Sequence, residues 1–151
     1  ARGVKHKNKV EFGIAVRNTS LRSFPDETPV FKSPEDKEFD RFQETGVQAL
    51  TIAAILHTSR EGRWYFVQIY NYTGWVKCED LAVASCREEV FEYIDSKKFL
   101  TVTGNHVMTQ FNPFEPEVSN KVFSMGTRIP LVADEDIENI GNQSTVFNYI
   151  V

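Results

Sequence analysis

The stretch Trp64 to Val76, WYFVQIYNYTGWV, decides the fold. Trp64 to Tyr70 places aromatic and β-branched residues around a single Gln, the composition of a strand on a pleated, half-buried surface. Asn71-Tyr72-Thr73-Gly74 reads as a turn, and Trp75-Val76-Lys77 as a shorter second strand, so the stretch is a hairpin. Upstream lies TIAAILHT, Thr51 to Thr58, a continuous apolar run with β-branched ends. It reads as a buried strand, although its two alanines leave a helical reading open. Ser59-Arg60-Glu61-Gly62 joins the two as a tight turn, with Gly62 free to take a positive φ. Downstream, Glu79-Asp80-Leu81 reads as one 3₁₀ turn and Ala82-Val83-Ala84 as a closing strand. FGIAVR, Phe12 to Arg17, supplies another strand. Asn18 to Asp40 carries Pro25, Pro29 and Pro34 among polar residues and reads as one long irregular loop, unusual for a compact domain and often functional. Phe24, Phe31 and Phe39 are expected to anchor it to the body rather than to form a ligand site.

This order of hairpin, Gly-Trp-Val strand, 3₁₀ turn and final strand is that of a small SH3-like barrel, closed by short, strongly bent strands. Arg87 to Ser96 (REEVFEYIDS) changes period: Val90, Phe91 and Ile94 share one face of a short amphipathic helix. Strand-like residues return at Phe99 to Thr103, His106 to Phe111, Met125 to Val132, with a Pro that marks an edge or a bulge, and Val146 to Val151. Asn112 to Pro116 reads as a rigid loop and Asp134 to Asn139 as an acidic one. The fold class is therefore mainly β: two tandem small SH3-like β-barrels joined by a short helix. The expected boundaries are 10–85, 86–98 for the helical linker and 99–151, with too few strands in the last unit to close it. A chain that stops inside an apolar β run is expected to be an excised part of a longer protein.

Composition narrows the chemistry. With 151 residues, 41% hydrophobic and 25% charged, the chain is an ordinary globular protein, and two half-length units would lean on each other. A net charge of -4 carries no nucleic-acid footprint. The basic start (Arg2, Lys5, Lys7, Lys9) reads as a solvated end, with a phosphate or teichoic-acid contact as the sharper alternative. No apolar run approaches the roughly 18 residues that a spanning helix needs, and no signal-peptide pattern precedes the first strand, so location is not read from the chain directly. Cys78 and Cys86 are too few for a disulfide framework and are expected as free thiols. His6, His57 and His106 are scattered, so no metal or cofactor is expected. Asp134 to Glu138 lacks the Gly and the terminal Glu of a calcium loop.

Several motifs carry a family resemblance. LRSFP (Leu21 to Pro25), FDRFQE (Phe39 to Glu44), WYFVQ (Trp64 to Gln68) and YNYTGWV (Tyr70 to Val76) resemble the first bacterial SH3 domain of the NlpC-type cell-wall peptidases. TGN (Thr103 to Asn105), Asn112-Pro113, Pro116-Glu117 and MGTRIPLV (Met125 to Val132) resemble the second. The resemblance implies that both barrels precede a papain-like γ-D-glutamyl–diamino-acid endopeptidase domain that holds the catalytic Cys and His residues. No catalytic residue is then expected in this chain: Cys78 follows a strand, Cys86 precedes the linker helix, and neither has a His nearby in sequence. The chain departs from the family just before the apolar strand, where relatives usually carry Pro-Gly and it has Gln48-Ala49-Leu50.

The resemblance further implies that the first barrel walls the peptidase groove, with Tyr72 as the aromatic residue beside the Gly-Trp motif. A Tyr offers a flat apolar face and a hydroxyl that can meet a peptide amine; the competing reading is a turn aromatic packed on Trp75. The candidate substrate-binding set is Tyr72, Trp75, Tyr70, Phe42, Glu44 and Asp40, with Phe39 beside it and Glu44 or Asp40 meeting a free amine. The expected function is a non-catalytic cell-wall targeting or substrate-recognition module. Its partners would be the peptidoglycan stem peptide or cell wall and its own C-terminal peptidase domain, in the extracellular space or envelope of a bacterium. The alternative is a structural spacer that packs on the peptidase domain and binds no ligand.

Overall fold

The computed structural model describes residues 9–131 and the backbone of residues 139–140 and 143–144. The basic start at Arg2, Lys5 and Lys7, the acidic loop at Asp134 and the terminal run at Val146 lie outside the described residues. The chain is mainly β, with one helix among the described residues.

Seven antiparallel strands form one sheet in the order β3-β2-β6-β5-β4-β1-β7. They are β1 (Glu11–Ala15), β2 (Thr19–Arg22), β3 (Gln43–Val47), β4 (Ile52–Thr58), β5 (Trp64–Gln68), β6 (Thr73–Lys77) and β7 (Leu81–Val83). The centre is the hairpin pair read from the sequence. The β4–β5 turn closes through the Ser59 N–H, which donates to the Trp64 carbonyl at 2.7 Å, and the Trp64 N–H, which donates to the Ser59 hydroxyl at 3.1 Å. Gly62 in that turn has a φ of 71°, a left-handed conformation that glycine takes at no steric cost. The 3₁₀ turn falls at Cys78–Asp80.

Strand alternation sorts the side chains. Leu21, Val67 and Val76 are fully buried, and Val47 of β3 and Leu81 of β7 meet in the same core. The sheet therefore curls over one core and brings its two ends to it. It is nevertheless not a closed barrel: β3 and β7 are its edges and do not pair with each other. The β2–β6 junction rests on the single register pair Arg22 and Trp75, because β2 is only four residues long and shifts register against β3 at Leu21/Arg22. This corrects the expectation of a closed first barrel.

The expected loop from Asn18 is also corrected. Thr19–Arg22 is a strand, and Gln43–Val47 is its partner; the irregular stretch is confined to residues 23–42. Neither segment looks like a strand in isolation, since TSLR and QETGV are mostly polar, and long-range pairing rather than local propensity makes them extended.

Helix α1 (Arg87–Asp95) forms as the periodicity predicts. It buries Val90, whereas Phe91 and Ile94 are each 40% exposed. It is more than a connector, because the Arg87 guanidinium lies 5.9 Å from the Phe12 ring of β1 and 4.8 Å from the Phe91 ring. Beyond it, β8 (Phe99–Thr101) pairs with β11 (Arg128–Pro130), and β9 (His106–Met108) with β10 (Val122–Ser124). A two-residue pair, β12 (Asn139–Ile140) and β13 (Gln143–Ser144), follows. The run expected as one strand from Met125 begins instead as a turn at Gly126, with φ 85°. This region has a small core of Val102, Phe123 and Ile129, and Ala49 from the β3–β4 turn completes it. The second half is therefore built partly on the first, and the described residues show three short strand pairs there rather than a second barrel.

Candidate functional site

One polar clamp organises the irregular stretch. Arg22 leaves β2 beneath it, and its Nη1 donates to Asp40 Oδ2 at 2.6 Å. Its Nη2 donates to the Thr28 carbonyl at 3.0 Å. Asp40 Oδ1 accepts from the Val30 and Phe42 amides, both at 3.0 Å. The Val30 amide first, then the Phe42 amide and the Arg22 guanidinium, hold the Asp40 carboxyl below its ordinary range against the opposing effect of desolvation. Asp40 thus orders its own loop, and these bonds occupy both of its oxygens. Within the loop, Phe24 and Phe42 pack on each other at 4.9 Å, while Phe24 stays 54% exposed. Phe39 is 76% exposed, so it anchors nothing.

On the outer face of the sheet, registered positions of β4, β5 and β6 form an aromatic row. His57 pairs with Phe66, and Phe66 with Trp75. The Trp75 ring lies 5.2 Å from that of Phe66 and 6.3 Å, edge on, from that of His57. Trp75 is half-buried. Arg22 continues the row on β2.

The other predicted residues sit around this row rather than in one groove. Tyr70 is fully exposed at the tip of the β5–β6 turn, and Tyr72 is 41% exposed at its end. The turn is held by the Ile69 amide donating to the Tyr72 carbonyl at 2.9 Å and by Gln68 Nε2 donating to the same carbonyl at 3.1 Å. Tyr72 lies in the turn that precedes β6, whereas Trp75 lies within the strand. Gly74 is required where β2 and β6 cross, since a Cβ there would lie 2.8 Å from the Arg22 carbonyl oxygen and from Leu21 Cγ. Glu44 occupies the register shift between Thr45 and Gln43, a bulge of the kind that re-aims a side chain. It is exposed and accepts a hydrogen bond from the Ser23 hydroxyl.

Sequence reasoning did not single out His57, Phe66 or Arg22. Alternation along Trp64-Tyr65-Phe66 could have put Phe66 beside Trp75, but nothing local marks Arg22 as buried. Cys78 and Cys86 are free thiols. Burial pushes the Cys78 thiol up, the opposite of what a nucleophile needs. Among the described residues no cluster of His, Cys, Asp and Glu could hold a metal, and no helix is long and apolar enough to cross a membrane.

Comparison with known proteins supplies a frame for this geometry. Residues 29–77 match the SH3 domain of the SH3b1 type. The chain is also similar to a solved structure described as a novel NlpC/P60 endopeptidase from Photobacterium damselae subsp. piscicida, with a TM-score of 0.66 and 21% identity. The match covers 79% of this chain and 26% of that one, so the chain spans about a quarter of that protein's length. No curated protein matches it.

Proposed function

We propose that this chain, with an SH3b1-type domain in its first half, is the non-catalytic wall-associated module of a peptidoglycan endopeptidase and recognises the stem peptide. The observation that carries the reading is the outward-facing aromatic surface of the matched domain. Trp75, backed by Phe66 and His57, lies beside a turn that exposes Tyr70 and Tyr72. Aromatic faces on SH3-like barrels are suited to extended peptides, and the exposed Glu44 offers a carboxylate to a peptide amine. The likeness to an endopeptidase of which this chain spans a quarter supports a parent that is a cysteine peptidase of the bacterial wall. Its catalytic domain would lie C-terminal to this module, outside the cell or in its envelope.

The test is titration of the chain with L-Ala-γ-D-Glu-diaminopimelate, followed by Trp fluorescence and NMR. Saturable shifts at Tyr72 and Trp75, lost in Tyr72→Ala, support recognition. No shift up to about 1 mM, an affinity near -4 kcal/mol, refutes binding by the chain alone.

A second reading has its own observation. Beyond the helix, Met108, Phe114, Val118 and Met125 are all more than half exposed. Large apolar side chains at that density favour an intramolecular interface with the peptidase domain. In that arrangement the second half is a spacer.

A further inference from the structure

The two ends of the aromatic row are set by irregularities of the sheet. Along β4, Ile55 pairs with Val67 and His57 with Phe66, so Leu56 is an extra residue with no place in the register. Val67 is fully buried, and Ile55 lies in the same core. In an unbroken strand Ile55 and His57 would share a face, and the imidazole would point into that core. The bulge instead brings His57 to the outer face, where it is exposed and meets the Trp75 ring edge on at 6.3 Å. At the other end, Glu44 is the extra residue of β3, between Thr45, which pairs with Leu21, and Gln43, which pairs with Arg22. Bulges that re-aim a side chain are over-represented next to functional sites.

Sheet order sets the two groups apart. β2, β6 and β5 lie between β3 and β4, so Glu44 and His57 are four strand spacings apart, up to about 19 Å between backbones. The Phe66 and Trp75 rings lie between them. The cations beside the row on β2 and β6 are committed: Arg22 to Asp40 and the Thr28 carbonyl, and Lys77 to Glu27 and Glu79. The His57 ring makes no hydrogen bond or ion pair among the described residues. Glu44 is exposed and in no ion pair among them, and it accepts from the Ser23 hydroxyl. The row therefore ends in a carboxylate without a cation on one side. On the other it ends in an unpaired imidazole, which has an N–H to donate in either protonation state.

We propose that the stem peptide lies across the strands in one direction, with its free α-amine at Glu44 on β3 and its terminal carboxylate at His57 on β4. The methylenes of the γ-linked D-glutamyl residue then rest on Phe66 and Trp75. An extended tripeptide with one γ-linkage spans about 13 Å, and the Glu44 and His57 side chains reach inward over the remainder. His57 is thus the residue that selects a carboxylate end. This inference rests on the stem-peptide reading.

The test is titration of the whole chain with three ligands, read by Trp fluorescence and NMR. They are L-Ala-γ-D-Glu-diaminopimelate, the same peptide N-acetylated on its alanine, and the peptide amidated at its terminal carboxylate. Each modification should weaken binding to the native chain about five- to tenfold. His57→Phe keeps a ring beside Trp75 but removes the N–H donor. It should weaken the unmodified peptide by a similar factor, and amidation should then have no further effect. Glu44→Gln should erase the effect of acetylation and leave that of amidation. Both positions are exposed, so neither variant should disturb the fold. The direction is overturned if His57→Phe binds the peptide as the native chain does, or if amidation weakens binding to both chains equally. It is also overturned if His57→Phe erases the effect of acetylation instead, which is the reverse orientation. Those three outcomes leave the stem-peptide reading standing. If the native chain binds no peptide up to about 1 mM, both readings fall together.

Discussion

Gly74→Ala tests whether the crossing of β2 and β6 is as tight as the geometry says. A Cβ at position 74 would lie 2.8 Å from the Arg22 carbonyl oxygen and 2.8 Å from Leu21 Cγ, against an ordinary contact of about 3.4–4 Å. Neither neighbour gives way easily. The carbonyl belongs to the backbone of β2, which is anchored by the Arg22–Asp40 ion pair, and Leu21 is fully buried. Forcing them apart should cost about 1–3 kcal/mol as overpacking. Replacing a strand glycine returns about 0.5–1 kcal/mol through the unfolded state. The central values leave a net destabilisation of about 1 kcal/mol, or a Tm lower by roughly 2–4 °C in a chain of this size. Urea unfolding followed by Trp fluorescence reads this directly, since Trp64 and Trp75 lie on β5 and β6. Gly46→Ala is the internal control. A Cβ there meets nothing within 4 Å, so the same substitution on β3 should leave stability unchanged or raise it by about 0.5 kcal/mol. If Gly74→Ala proves as stable as the native chain, the close approach at the crossing is wrong, and with it the placement of Arg22 and Trp75.

Three further outcomes follow from individual side chains. The Thr127 hydroxyl is buried with no hydrogen-bond partner among the described residues, so Thr127→Val should stabilise the chain by about 1 kcal/mol; destabilisation in urea would show that the hydroxyl has a partner. Asp40 has a depressed folded-state pKa, so its contribution is present above its unfolded pKa of about 3.9 and is lost as pH falls through the lower folded value. Protease cleavage within residues 23–42 should therefore rise on acidification below about pH 4, and Asp40→Asn should show that susceptibility already at neutral pH. Cys86 is exposed whereas Cys78 is half-buried with its thiol pushed up by burial. A thiol-reactive disulfide should therefore modify Cys86 first, with two resolved phases at pH 8; a single phase would contradict the burial of Cys78.

The parts of the fold legible in the sequence are those fixed by local pattern. Trp64 to Gln68, the Gly62 turn, the 3₁₀ turn and the helix from Arg87 each carry their own signal in composition or period. β2 and β3 carry none, because they are extended only through pairing with each other and with β6. The candidate site divides in the same way. Exposed Tyr70 and Tyr72 follow from their turn positions, whereas Glu44 is exposed at a bulge of β3. Asp40 was read as a ligand-facing carboxylate, yet it lies 18 positions from its partner Arg22, and no local pattern announces a pairing across a proline-rich loop.

The corner at Gln48-Ala49-Leu50 shows how the two halves are coupled. Leu50 has a φ of 69°, a left-handed conformation that costs a non-glycine residue about 1–3 kcal/mol. The surroundings over-determine it. The Leu50 amide donates to the Ala15 carbonyl at 2.7 Å, and the Ala49 amide donates to Asn18 Oδ1 at 2.8 Å. Ala49 is buried in the second core beside Val102, Phe123 and Ile129, with Leu50 packed against it. The Ala49 and Leu50 side chains seat the second core, so the strain is offset by apolar burial across the junction. Asn18 Nδ2 also reaches the Ser124 hydroxyl at 3.4 Å, so the same corner joins β1, the β3–β4 turn and β10. The second half, whose own core is small, is thereby held against the sheet that carries the aromatic row.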